Sequence, residues 1–339
     1  MFERIPARNV VSWTALISGY VEHGQGHHAL ECFRKMRDEG VRPSAITYAC
    51  LLKACGIVRF LDVGECIDIE IRKQGLLKKD VVLGTALVDM YSKCGALEKA
   101  QEVFDELPIR NVVTWNALIT GYVQHGLGDE ALRCFRRMRD EEVCSPNALS
   151  YASILKACGM VKSLDTGECI DADIRKEGLL EKDVVLGTAL VDMYSKCGAL
   201  EKAQEVFDHL SVRDVVTWNA LIAGYAQNGQ GVRAMSLLRQ MIQEGMMPNK
   251  ITFVSSIDAC ASLGEERQGK HLHASIRSAG CELDTVLGTA LIHMYGKCHC
   301  IIDAWDIFHM INELDTACWN AIITAYSQHE EGDLALQLF

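Results

Sequence analysis

One tryptophan-centred segment recurs four times along the chain at an almost constant spacing. The copies read NVVSWTALISGY around Trp13, NVVTWNALITGY around Trp115, DVVTWNALIAGY around Trp218 and TACWNAIITAY around Trp319. The tryptophans are 102, 103 and 101 residues apart, and the 26 residues DVVLGTALVDMYSKCGALEKAQEVFD occur identically at 80–105 and 183–208. Self-similarity at a fixed period is typical of repeat architectures, in which each unit packs on its neighbours.

Each long period divides into three related units, and each unit has the pattern of two helices joined by a turn. In the unit at 81–111, apolar residues recur at helical spacing on both sides of a break at Cys94-Gly95. We expect the small side chains of Ala86 and Ala100 to let the paired helices approach closely. No window alternates with period two for long enough to indicate a strand. The sequence therefore predicts an all-α solenoid rather than two or three globular domains.

The alternation of 35-, 36- and 31-residue units carrying WNALI, LKACG and TALVDMYSKCG resembles the pentatricopeptide repeat family of land plants. More narrowly, it resembles the PLS subclass, whose P, L and S motifs cycle in that order. Essentially the whole chain shares the resemblance, which implies a right-handed α-solenoid of helix-turn-helix repeats that binds single-stranded RNA, one nucleotide per repeat. The expected motifs are the tail of an S motif at 1–9, P motifs at 10–44, 112–147 and 215–249, L motifs at 45–80, 148–183 and 250–284, S motifs at 81–111, 184–214 and 285–315, and a truncated P motif at 316–339.

The second residue of each full P and S motif is valine, and in the family this position sandwiches bases between neighbouring repeats. A flat apolar contact of this kind tolerates any base. The alternative is ordinary packing of β-branched side chains at the start of a helix. The valines are Val11, Val82, Val113, Val185, Val216 and Val286.

The fifth and last residues of the P and S motifs are polar, and in the family this pair reads the base. Thr with Asp favours guanine there, Thr with Asn favours adenine, and Asn with Asn favours pyrimidines. The alternative is that these Asn, Asp and Thr residues only cap helices. The pairs are Thr14 with Ser44, Thr85 with Asn111, Asn116 with Asn147, Thr188 with Asp214, Asn219 with Asn249, and Thr289 with Asp315, followed by Asn320 without a last residue.

The L motifs depart from this pattern because their fifth residues, Ala49, Ala152 and Val254, offer no hydrogen bond. We therefore expect little base discrimination at the L positions. Along RNA running 5′ to 3′, the resemblance implies that each S and P motif reads one nucleotide and that one unread nucleotide follows each such pair of motifs. Beginning at Thr85, the expected core is A-Y-n-G-Y-n-G, where Y is a pyrimidine and n any base.

The net charge of −11 is unusual for a protein that binds nucleic acid. Two interpretations follow: the chain is a protein-interaction scaffold without RNA specificity, or its positive charge is concentrated along the groove. The thirteenth residue of each S motif favours the second, because in the family it approaches the phosphate backbone. These residues are Lys93, Lys196 and Lys297.

The 15 cysteines mostly recur with the repeat, which indicates small buried side chains rather than ligands. Cys298-His299-Cys300 has no second ligand pair, so no metal is expected. His329-Glu330-Glu331 formally matches the H-x-E of zinc deaminases but lacks a later P-C-x-x-C. We expect no enzyme activity and no cofactor.

The position of Met1 within the end of an S motif, without a basic amphipathic leader, favours a fragment of a longer protein. The resemblance implies a mitochondrial location, with plastids second, and an organellar RNA partner. It also implies selection of C-to-U editing sites, with an editing deaminase or accessory factor acting in trans. No membrane association is expected.

Overall fold

The computed structural model describes residues 8–77, 79–141, 144–181 and 183–329. These residues form 19 α-helices and contain no strand, which confirms the all-α repeat fold. The expected S tail at 1–9 and the truncated P motif at 316–339 lie partly outside the described residues. The chain divides into two compact units, Met1–Val161 and Lys162–Phe339. Within the described residues no helix is long and apolar enough to cross a bilayer.

The first unit contains nine helices in which a first helix alternates with a second helix. Neighbouring first helices pack on one another, and each second helix packs on the first helices before and after it. The first helices are α1 (Val10–Glu22), α3 (Ala45–Val58), α5 (Val81–Lys93), α7 (Val112–Gln124) and α9 (Ala148–Val161), and the second helices are α2 (Gly26–Asp38), α4 (Leu61–Lys73), α6 (Leu97–Glu106) and α8 (Gly128–Asp140).

The second unit repeats the same alternation, again with first helices packed side by side. Its second helices are α10 (Leu164–Lys176), α12 (Leu200–His209), α14 (Gly231–Gln243), α16 (Glu266–Ser278) and α18 (Ile301–Met310). Its first helices are α11 (Val184–Lys196), α13 (Val215–Gln227), α15 (Lys250–Leu263), α17 (Thr285–Lys297) and α19 (Thr316–Gln328).

Three of the four recurring tryptophans, Trp13, Trp115 and Trp218, are core residues, whereas Trp319 is 39% exposed. Trp115 is fully buried, and its ring meets the ring of Phe104, on the preceding second helix, edge to face at 4.5 Å. Trp218 and Phe207 make the same contact at 4.6 Å. Such aromatic pairs stabilise a core beyond the area that they bury. The near-constant spacing of the tryptophans therefore reflects one packing contact that is repeated along the chain.

The expected role of Ala86 in the contact between paired helices is wrong. Ala100 is fully buried, but Ala86 is only half-buried and shares one face of α5 with Val82 and Lys93. Glycine allows a close approach at a different contact, the one between neighbouring first helices. An added Cβ on Gly224 of α13 would collide with Ser195 of the neighbouring first helix α11. The sequence pattern identified small residues without showing which face of the helix carries them.

Candidate functional site

A groove of about 760 Å³ runs along the first helices of the first unit, over α3, α5, α7 and α9. It brings together side chains that the sequence assigned to three different roles. Its lining includes the fifth residues Ala49 and Thr85, which are half-buried, and Asn116, which is buried. Of the predicted site residues, the groove contains Val82, Thr85, Lys93, Asn111, Val113, Asn116 and Asn147.

In each unit, the second residues are exposed apolar side chains near the start of the first helices. The six valines are between 56% and 71% exposed. The alternative interpretation, burial of β-branched side chains at helix starts, is therefore wrong. The L motifs carry the same feature, which the sequence analysis missed: Ile46, Leu149 and Ile251 occupy their second positions and are equally exposed. A regular row of exposed branched side chains offers apolar surface at one point per motif.

The fifth and last residues meet at a shared partner, the third residue of the following motif. At the junction between the second S motif and the P motif that follows it, Thr188 Oγ1 lies 2.6 Å from Thr217 Oγ1. Thr217 in turn donates its backbone N–H and its hydroxyl to Asp214 Oδ1, both at 2.8 Å. Thr85, Asn111 and Thr114 repeat this arrangement in the first unit.

The asparagine pairs use the same third position with a direct bond added. Asn219 Nδ2 donates to Asn249 Oδ1 at 3.2 Å, while Thr252 Oγ1 donates to Asn219 Oδ1 at 2.6 Å. Asn116 and Asn147 form the equivalent bond at 3.0 Å. Asn116 and Asn219 are nearly buried, with one amide edge engaged inside the protein. Asn320, in contrast, is exposed.

The last residues also cap the helices that follow them, as the alternative interpretation predicted. Their side chains accept from backbone N–H groups of the first turn; they are Ser44, Asn111, Asn147, Asp214, Asn249 and Asp315. The backbone N–H of Cys318 holds the pKa of Asp315 below its usual range. Capping and exposure to solvent coexist, because each last residue is at least partly exposed, and Asn111 and Asn147 also line the groove.

The L junctions lack the polar bridge. Ala49 replaces the fifth-position threonine, and the third residue of the next motif is the fully buried Leu83. Asp80 still caps α5 by accepting from the N–H groups of Val82 and Leu83. An L junction therefore keeps the helix cap and loses the hydrogen-bonding side chains.

The three lysines predicted to contact phosphate differ in whether they form an ion pair with a carboxylate. Lys93 Nζ lies 2.7 Å from Asp89, one helical turn earlier on the same helix. Lys196 is paired with Asp192 at the same distance. His293 occupies the corresponding position before Lys297, which has no carboxylate partner within the described residues. Sequence reasoning also missed Lys53, an exposed groove lysine on α3 that forms no ion pair in the described part of the chain.

The Cys298-His299-Cys300 segment has the properties of a packed turn. Both thiols are buried. Burial raises the pKa of Cys300 to about 11 and raises the pKa of Cys298 as well, so both keep their protons. Across the described ranges no group of three or more His, Cys, Asp or Glu side chains is placed to hold a metal ion.

Comparison with known protein families finds matches along most of the chain. The PPR repeat family matches residues 8–56, 110–160 and 213–262, and the related PPR repeat matches 85–112, 188–215 and 317–339. Together these matches cover more than half of the residues.

Similar proteins occur in Arabidopsis thaliana. The chain is 37% identical over its whole length to the chloroplastic pentatricopeptide repeat-containing protein At1g11290, and spans 42% of that protein. It is 36% identical to the mitochondrial pentatricopeptide repeat-containing protein At2g03380, and spans 49% of it. The chain thus spans about half the length of these relatives or less.

Among solved structures, the chain resembles the pentatricopeptide repeat protein PPR10 in complex with an 18-nt psaJ RNA element. The TM-score is 0.69 at 18% sequence identity, and the match covers 97% of this chain and 54% of the other. A crystal structure of PPR10 from maize matches with a TM-score of 0.54. At this identity the likeness concerns the fold.

Proposed function

Because the chain belongs to the pentatricopeptide repeat family, we propose that it is a sequence-specific single-stranded RNA-binding module. In this proposal the row of second residues holds the bases, and the fifth and last residues of the P and S motifs read them. The reading follows the PLS pattern expected from the sequence, in which the L motifs discriminate little.

One observation carries the proposal: in the first unit, the fifth and last side chains of two consecutive motifs, Thr85 with Asn111 and Asn116 with Asn147, lie in one groove beside exposed valines. Unpaired bases present both a flat face and a hydrogen-bonding edge, so a surface that reads them needs both kinds of contact. Val82 and Val113 supply the first kind, and Thr85 and Asn111 line the same groove with polar atoms. A groove for an apolar peptide would have no need for polar pairs that recur at a fixed spacing.

The groove carries little free charge, which suits recognition by base contacts. Lys93 is paired with Asp89, so within the described part of the chain Lys53 is the lysine of the groove that has no ion-pair partner. Few phosphate contacts give an affinity that depends weakly on salt. We therefore expect selectivity to come from the polar pairs and only a modest part of the affinity to come from phosphates, including those near Lys196 and Lys297.

We further propose that the RNA is an organellar transcript and that the module selects sites for C-to-U editing, with catalysis supplied by a deaminase or accessory factor in trans. The similar Arabidopsis proteins include chloroplastic and mitochondrial examples, which supports an organelle. The proposal places mitochondria first and plastids second.

Selection from a pool of random single-stranded RNA tests the function. The protein, first shown to be helical and cooperatively folded, should enrich RNAs that contain A-Y-n-G-Y-n-G. A folded protein that enriches no motif would contradict RNA recognition and favour the protein-interaction scaffold.

A further inference from the structure

The third residue of a motif follows the character of the fifth residue in the motif before it. Where the fifth residue is polar, the next third residue carries a hydroxyl or thiol. These third residues are all 0% exposed: Thr47, Thr114, Ser150, Thr217, Thr252 and Cys318. Where the fifth residue is Ala49, Ala152 or Val254, the next third residue is a leucine: Leu83, Leu186 or Leu287. The buried residues cannot touch RNA, so any effect on reading must pass through another side chain.

The junction around Thr217 shows how such an effect is transmitted. An ionised carboxylate only accepts hydrogen bonds, so the Thr217 hydroxyl must donate its one proton to Asp214, 2.8 Å away. Thr217 Oγ1 is then an acceptor for Thr188, whose Oγ1 lies 2.6 Å away. The Thr188 proton is thereby used inside the protein, and the Thr188 hydroxyl offers only lone pairs to an RNA base.

The asparagine junctions fix polarity in the same way. The Thr252 hydroxyl donates to Asn219 Oδ1 at 2.6 Å, which turns Asn219 Nδ2 towards Asn249 Oδ1. A flipped Asn219 would turn its Oδ1 towards Asn249 Oδ1 and lose the bond between the two amides, because Asn249 Oδ1 is held by the backbone N–H of Thr252. The Thr252 hydroxyl lies closer to Asn219 Oδ1 than to Asn249 Oδ1, which is 3.1 Å away, so the shorter bond supports the same orientation of Asn219.

We propose that the buried third residue of the following motif is a positioning residue that sets the hydrogen-bonding polarity of the fifth residue. The inference rests on the proposed function, since polarity matters only if the fifth residue reads a base. An acceptor-only Thr188 matches the N–H donors on the Watson–Crick edge of guanine. A Thr188 released from Thr217 can turn its hydroxyl and donate to the ring nitrogen of adenine.

Thr188 is the clearest position for a test, because among the described residues its hydroxyl has one hydrogen-bond partner, the Thr217 hydroxyl. Thr85 and Thr289 also donate to carbonyls of their own helices, at 2.9 and 2.7 Å. Thr217→Val keeps the hydrogen bond from the backbone N–H of residue 217 to Asp214 and replaces only the hydroxyl, by a methyl group. Thr217→Ser restores the hydroxyl, and Ser195→Ala is a control that removes a buried hydroxyl with no partner in the described residues.

The experiment measures binding of the full chain to two RNAs that differ only in guanine or adenine at the nucleotide assigned to Thr188. Thr217→Val should lower the guanine preference roughly tenfold. Thr217→Ser and Ser195→Ala should keep the parental preference, and thermal unfolding should show that all variants are folded.

The outcomes distinguish the positioning role of Thr217 from the proposed reading of RNA. A folded Thr217→Val variant that keeps the parental preference overturns the positioning role and leaves RNA reading intact. An equal loss in Ser195→Ala also overturns it, because the effect is then a general result of removing a buried hydroxyl. A parent protein with no preference overturns the proposed function and the positioning role with it.

Discussion

Two junctions of the first unit differ in chemistry while sharing one packing arrangement. At the S-to-P junction, Thr85 meets Thr114 at 2.8 Å, and Asn111 binds the same hydroxyl. At the L-to-S junction, Ala49 and the buried Leu83 occupy the equivalent positions. In both cases the first helices pack side by side, and a capped N-terminus begins the second of them. Stacking of the array is therefore separable from the hydrogen-bonding groups at the groove, and a junction can change its selectivity without changing the fold.

The largest expected effect concerns the feature that the two junctions share, the exposed second residues. Val82→Glu combined with Val113→Glu should lower the affinity for every RNA by at least about tenfold, because an apolar contact that tolerates any base is replaced by charge. Binding to several unrelated RNAs of equal length measures this. The matched control, Ile69→Glu with Val232→Glu, adds the same charge at exposed positions on second helices. An equal loss in the control would assign the effect to net charge alone.

A smaller effect is expected from making the L-to-S junction resemble an S-to-P junction. Ala49→Thr combined with Leu83→Thr restores the bridge beside Asp80, so a preference for guanine of about 1–3 kcal/mol should appear at a nucleotide where the parent accepts any base. Binding to four RNAs that differ at that nucleotide measures it. Leu83→Thr alone should destabilise the fold by about 2 kcal/mol or more and create no preference. A folded double variant that still accepts all four bases would show that the polar bridge is insufficient.

The smallest effect concerns the paired groove lysine. Asp89→Asn removes the partner of Lys93 and should make binding steeper in salt, by about 0.7 in the slope of log affinity against log salt. Titrations at several salt concentrations measure the slope. Asp140→Asn, an equal charge change at the end of a second helix, serves as the control. Identical slopes for the parent and Asp89→Asn would remove Lys93 from the phosphate contacts.

The sequence predicted the fold well because the repeat is long, literal and strongly periodic. Local sequence patterns predict the helix pairs and the regular recurrence of tryptophan. They also predict the helix caps at Asn111 and Asp214. The exposure of Val82 does not follow, because a valine at a helix start suits a buried or an exposed position equally well.

Two features of the site needed the structure for a different reason. Thr217 belongs to one motif and acts on Thr188 of the previous motif, so reading each motif by itself cannot find their contact. Ala86 lies on the groove face of α5, which the apolar stripe alone did not distinguish from the packed face. Contacts between repeats depend on how the helices pack, and a list of residues at helical spacing does not contain that information.

The central claim is that the fifth and last residues of a motif together read one base, and Thr188→Asn tests it most directly. An asparagine amide can donate its Nδ2–H to the Thr217 hydroxyl, which still donates its own proton to Asp214, so the bridge survives the substitution. The substitution creates a pair of asparagine at the fifth position with Asp214 at the last position, and in the family this pair prefers uracil. Binding to four RNAs that differ only at the assigned nucleotide should change from a guanine to a uracil preference, worth about 1–3 kcal/mol, with flanking preferences unchanged. If parent and variant rank the four bases identically, Thr188 does not read RNA and the account is contradicted.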